Sequence, residues 1–255
     1  MIVRPMKDSV RLIPQHDHAR AAGSLLRHWV GLDSVPALNS ELAVAVWFAV
    51  DNHDVGWCKT DENPSYDPVT KLPYSFFGTS SEEATEIWSR GIAVCADYHP
   101  LSGYLVSAHF SQLAEAGGRG APPDVLEHLG KFVRVESNRQ KLLSEQFTDS
   151  EETGREGASL LLRTCDTLSL LMCRAPEISP PEGQTHPMTR CGLKIRASSG
   201  DCLEILPWPF DVECLELQFP GTTIPGPRFE NAEEFQEAME RAEPEVFHGC
   251  LMPIS

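Results

Sequence analysis

Five residues of metal-ligand type fall in four separated stretches of this sequence: His18, the adjacent pair His53-Asp54, His109 and Asp166. Each lies on, or at the edge of, a stretch with helical apolar spacing. His18 lines up with Ala22, Leu25 and Trp29, and His53 with Leu42, Val46 and Ala49. His109 shares a side with Leu105, Val106 and Leu113, and Asp166 is in line with Leu162, Leu170 and Cys173. A carboxylate on such a stripe is costly to bury unless a cation or hydrogen-bond donors meet it. The chemistry expected is that of one buried metal site closed by the fold.

The elements that must position these residues follow from the same periodicity. Ile2-Val3-Arg4 and Val10-Arg11-Leu12-Ile13 alternate around Lys7-Asp8-Ser9, which predicts a short hairpin. A first helix is expected from Gln15 to about Val30, and a second, capped by Asn39-Ser40-Glu41, as far as His53. The Pro-rich, aromatic run after Gly56-Trp57, with Tyr66, Tyr74, Phe76 and Phe77, reads as an irregular loop that could serve as an apolar lid. Further helices are expected from Ser80-Ser81 through Tyr98, from Pro100 to the stop at Gly117-Gly118-Arg119-Gly120, from Pro123 to about Phe147, and from Ala158 to Arg174. Thr148 to Gly157 reads as an acidic linker. Beyond Ala175 short strands are predicted at Leu193-Arg196, Cys202-Leu206 and Cys214-Phe219, with Pro207-Trp208-Pro209-Phe210 bridging two of them and a capped helix from Asn231 to about Arg241. The expected fold is one domain over 1–255, mainly α. Its helical bundle spans about 15–175, and its small sheet is built from a C-terminal extension, about 185–255, joined by the N-terminal hairpin.

Composition narrows the function classes. The chain has 255 residues, 41% of them hydrophobic, enough for a substantial core. A formal net charge of −16 without a basic run argues against nucleic acid or an anionic membrane as partner, and leaves a small molecule as the expected one. Eight cysteines without a CxxC pair read as reduced core thiols. With no apolar run long enough to span a bilayer and no signal-like start, a cytoplasmic location is expected.

The order His18, His53-Asp54, Asp166 resembles the signature of the His-Asp (HD) metal-dependent phosphohydrolases, whose helical fold gave the expectation of an HD-like bundle. The wider chain resembles a bacterial family known as domain of unknown function 3891, through Gln15 to His18, His53-Asp54-Val55-Gly56-Trp57, Leu105-Val106-Ser107-Ala108-His109 and Pro207-Trp208-Pro209-Phe210. The HD resemblance implies that His18, His53, Asp54 and Asp166 hold a divalent ion; His109 has no fixed counterpart in that four-residue pattern and is expected as a further ligand, at one or two ions, or as a proton carrier in catalysis. Iron, manganese and zinc all suit imidazole and carboxylate donors.

The leading expectation is a metal-dependent hydrolase of a small molecule, such as a phosphoester, acting through metal-activated water. Two alternatives use the same residues: a nonhaem diiron oxygenase drawing also on His99 or His109, and a catalytically inactive metal-binding or protein-interaction module. Phosphate substrates call for nearby cations, for which Arg20, Lys59, Arg90 and Arg163 are the candidates. Single-residue alternatives stay open. Asp166 could pair with Arg163, His18 could be a satisfied core histidine, and Gln15 could start the first helix or bind a ligand. His16 and His28 fall off the stripe and are expected to face solvent.

Overall fold

In the computed structural model residues 1–33, 35, 37–174, 192–198 and 201–254 are described. The N-terminal hairpin forms as its alternation requires, β1 (Ile2–Pro5) lying antiparallel to β2 (Ser9–Ile13). Helices α1 (Gln15–Arg27) and α2 (Ala43–Asn52) follow, then a 3-10 turn (Val55–Trp57) and the single turn α3 (Cys58–Asp61). The aromatic loop is not wholly irregular. It holds a small hairpin of β3 (Tyr66–Asp67) and β4 (Leu72–Pro73).

Three long helices and a fourth, longer one complete the helical layer: α4 (Ser81–Tyr98), α5 (Pro100–Gly117), α6 (Pro123–Ser144) and α7 (Asp149–Arg174). The stretch expected to be an acidic linker is the first part of α7. Thr148 Oγ1 accepts the Glu151 amide while the Glu151 carboxylate accepts the Thr148 amide, a reciprocal cap that starts the helix. Asp149, Glu151 and Glu152 then sit in the first turn, where the helix dipole favours negative charge.

The C-terminal part overturns the expected fold class. Strands β5 (Lys194–Ala197), β6 (Cys202–Leu206), β7 (Leu215–Pro225) and β8 (Pro244–Pro253) join the N-terminal hairpin in one six-stranded sheet, ordered β1-β2-β7-β8-β6-β5. Every neighbouring pair is antiparallel except β6 and β8, which are parallel. The chain is therefore an α/β protein with a curled mixed sheet, not a mainly α HD-like bundle carrying a small one. The physical reason lies in β7 and β8. The strand that opens with the alternation Leu215, Leu217, Phe219 runs on to Pro225, and β8, unforeseen in the sequence, pairs with β7 along eight residues.

The bundle face of the sheet, with Leu203, Ile205, Leu217, Phe219 and Leu251, shares one core with α1, α2, α5 and α7. The opposite face buries Val10, Leu12 and Ile224 beneath Phe229 and Phe235, the latter on α8 (Ala232–Arg241). Pro207-Trp208-Pro209-Phe210 fastens the sheet to the end of α1: Val30 donates to the Pro209 carbonyl at 2.8 Å, and Phe210 packs edge-on against Trp29.

Cysteine usage also departs from expectation. Cys202 and Cys250 stand opposite each other on β6 and β8 and are joined in a disulfide, whereas Cys58, Cys95, Cys165, Cys173 and Cys214 are free. Cys191 lies outside the described residues. Among those described, no helix is long and apolar enough to cross a membrane.

Candidate metal centre

Four helices of the bundle bring the expected residues together. His18 comes from the first turn of α1, His109 from α5 and Asp166 from α7. His53 continues α2 in helical conformation by one residue, and Asp54 opens the 3-10 turn that follows. One ligand-type atom each from His18, His53 and Asp166 lie within 4.8 Å of one another, so this group could hold a metal ion.

The sharp turn at His53-Asp54 depends on Gly56. A Cβ there would fall 2.1 Å from the Ile87 carbonyl oxygen and 2.9 Å from the Gly91 nitrogen, both backbone atoms of α4. The glycine thus lets α4 run against the turn that carries both ligands. Gly56→Ala is expected to destabilise the protein by about 3 kcal/mol, at the upper end of ordinary overpacking because backbone must move. Chemical denaturation measures this, and unchanged stability would show that α4 does not clamp the turn.

The histidines are tethered so that their second nitrogens face the carboxylates. The Ser169 hydroxyl donates to the Asp166 carbonyl, so its oxygen accepts from His18 Nδ1 at 2.8 Å. His53 Nδ1 donates to the Val50 carbonyl at 2.8 Å. With both Nδ1 atoms occupied as donors, a neutral imidazole presents a lone pair at Nε2. His18 Nε2 lies 2.9 Å from Asp54 Oδ2 and 3.7 Å from Asp166 Oδ1. His53 Nε2 lies 3.6 Å from Asp54 Oδ2 and 3.4 Å from Asp166 Oδ1, and it is buried without a hydrogen-bond partner. Lone pairs facing carboxylates repel unless a cation stands between them, whether a metal ion or a proton.

Without a metal, protons take that part. Burial opposes charge on His53, but Asp54 and Asp166 outweigh it and raise its pKa to about 9. Burial likewise works against ionised Asp54 and Asp166, yet the facing imidazoles hold both below the usual carboxylate range. His109 differs. Its Nε2 is 3.7 Å from Asp166 Oδ2, its Nδ1 is buried without a partner, and burial lowers its pKa to about 4 despite Asp166. Asp166, with 17% of its side chain exposed, is the most accessible member of the group, so small molecules must approach from its side.

Residues 1–226 match the family model described as "Protein of unknown function (DUF3891)". The chain belongs to the DUF3891 family. No curated protein and no solved structure matches it. All five site residues of this DUF3891 chain fall inside the matched region, whereas α8 and β8 lie beyond it.

Other residues singled out in the sequence sit elsewhere. His99 caps α5, accepting the Leu101 amide at 3.2 Å, and stands beside Glu151 rather than in the cluster. His28 pairs with Asp211 on the surface as expected for a solvent-facing residue, but His16 is half-buried, with its Nδ1 enclosed and lacking a hydrogen-bond partner. His186 lies outside the described residues. The Gln15 amide donates to Asp61 at 2.6 Å, which anchors the start of α1, and its side-chain oxygen is buried without a hydrogen-bond partner. Trp57 is buried, in keeping with a packing role.

The aromatic hairpin does not cover the histidines. It is tied to the far side of the sheet through Tyr66, which donates to the Phe229 carbonyl, and through the Lys71–Glu230 ion pair. Sequence reasoning missed Ser169. Its position three residues after Asp166, on the same helix face, was the available signal.

Proposed function

We propose that this protein is a metal-dependent hydrolase of a small molecule. His18, His53 and Asp166 hold a divalent transition metal, Asp54 completes the donor set, and His109 serves as a further ligand or proton carrier. The observation that carries this reading is the paired tethering of His18 and His53, which turns two buried Nε2 atoms toward two carboxylates. Hydrogen-bonded outer nitrogens of this kind are the usual accompaniment of metal-ligating histidines. The ligand order resembles that of the HD phosphohydrolases, and this likeness of order, not of fold, is what supports hydrolysis. A bound divalent ion would supply Lewis acidity and lower the pKa of its water to roughly 7.

The protein's own residues have distinct parts. Ser169 and Val50 fix the two imidazoles in one tautomer. Asp54, the more enclosed carboxylate, balances charge, and Asp166 borders the accessible side. The low basicity of His109 leaves it neutral near pH 7, with a ring nitrogen lone pair to offer a metal ion and only a weak hold on any proton it carries. The test is turnover by the metal-loaded chain of nitrophenyl phosphates, phosphodiesters, nucleotides and carboxylic esters. Metal-dependent hydrolysis of one class, lost in Asp166→Ala, is the expected result. Metal binding with no hydrolysis would overturn the proposal, and two iron ions with an oxygen-sensitive spectrum would assign the centre to oxidation.

A further inference from the structure

Buried side-chain atoms without a hydrogen-bond partner gather around the metal centre. Two belong to its histidines, His53 Nε2 and His109 Nδ1, and two to the first turn of α1, Gln15 Oε1 and His16 Nδ1. Gln15 is the more enclosed of the second pair, with 4% of the residue exposed. Nothing in the packing of α1 calls for a glutamine there. Its contact with Asp61 is made by the main-chain amide, which every residue but proline carries. An apolar side chain of similar length would fill the space without an unmet acceptor, whose burial costs stability. A buried orphan of this kind asks for a partner that the chain itself does not supply.

Its position names that partner. Gln15 stands three residues before His18, so the two share one side of α1. Helical side chains lean toward the N-terminus, which carries the His18 ring toward the level of Gln15. The chain that follows α2 is fastened to this part of α1 at two points. Asp54 Oδ2 lies 2.9 Å from His18 Nε2, and Asp61 Oδ2 accepts the Gln15 amide at 2.6 Å. Gln15 thus sits in the angle between the first turn of α1 and residues 54–61, roughly 5 Å along the helix axis from His18.

We infer that the Gln15 side-chain carbonyl orients the hydrolytic water, accepting a hydrogen bond from water held at the His18–His53–Asp166 group. The inference rests on the hydrolase reading for that water's task. A neutral amide suits the place, because the centre already encloses two carboxylates. It fixes an O–H direction without adding negative charge, and leaves the water's lone pair for a substrate arriving from the side of Asp166.

Crystals of the zinc-loaded, full-length protein test this directly. Zinc-bound water is expected within hydrogen-bond reach of Gln15 Oε1, about 2.6 to 3.2 Å. Gln15→Met is the companion variant. It should bind zinc with unchanged stoichiometry and affinity, and its metal-free form should melt at the same or a higher temperature, because the unmet acceptor is gone. On whichever nitrophenyl ester the wild-type protein hydrolyses, it should lose at least about tenfold in kcat with KM little changed. A merely structural glutamine would instead lower the metal-free melting temperature. That result, or a Gln15 Oε1 bonded to protein or out of reach of any zinc-bound water, would overturn the inference. The wild-type crystals carry the test if the variant fails to fold. Failure of the underlying reading looks different: no zinc in the wild-type protein removes the metal centre and this role together, whereas zinc and the Gln15-bound water without hydrolysis of any ester would uphold the contact and refute the hydrolase.

Discussion

Asp166→Ala is expected to purify without metal, and to lose the thermal stabilisation that added divalent metal gives the wild-type protein. Among the described residues Asp166 is the only one whose carboxylate oxygens lie within 4 Å of His18, His53 and His109 together, so its removal opens the donor set at its centre. At a metal concentration a thousandfold above Kd, binding to the folded state stabilises it by about 4 kcal/mol, and this is the amount at stake. The metal-free forms should differ less. The variant loses a favourable partner of His53, but it also loses a carboxylate that is expensive to enclose. Elemental analysis and thermal unfolding with and without chelator measure both parts. Equal metal content and equal melting temperature in the two proteins would dismiss the centre.

Metal affinity should rise steeply with pH between about 7 and 9, by about tenfold per unit where one proton is displaced, because His53 must release its proton to bind. The stability of the metal-free chain should follow the opposite slope over that window. The His53 pKa is raised from 6.5 to about 9, so its contribution is complete below 6.5 and fades as pH rises through 9. On the acid side the signs reverse. His109 is lowered from 6.5 to about 4, so its burial is tolerated above 6.5 and costs increasingly as pH falls toward 4. Asp54 and Asp166, both depressed, contribute above their ordinary 3.8 and fail in stronger acid. Metal-free protein should therefore be most stable near pH 6 to 7, and metal should extend that range upward. Unfolding midpoints across pH, with and without metal, test this. A flat affinity profile from pH 7 to 9 would mean that His53 is already neutral.

The centre was more legible in the sequence than the fold that surrounds it. A histidine or aspartate on an apolar helical stripe is conspicuous because burial there needs a partner, and α1, α2, α5 and α7 did converge. The orientation of the rings was not legible, since it depends on Ser169 and on a carbonyl that every residue carries. The start of α7 was misread because Thr148 to Gly157 is polar throughout, while its helical state is set by the reciprocal Thr148–Glu151 cap. Strand β8 escaped notice because prolines bound it and Gly249 interrupts its short alternation. The Cys202–Cys250 bridge joins positions 48 apart that carry no spacing signal. Only the register of β6 on β8 makes them neighbours.

That register has a consequence for how the chain acquires its shape. The last of the described strands, β8, occupies an interior place, wedged between β7 and β6, which have no direct pairing with each other. Helices and the first hairpin can form from contacts close in sequence, but the two halves of the sheet have nothing to hold them at their final spacing until residues 244–253 slide into the gap. Closure of the sheet is thus a late event of long sequence reach, of the kind that slows folding, and the ribosome must have delivered nearly all of these residues before it can happen.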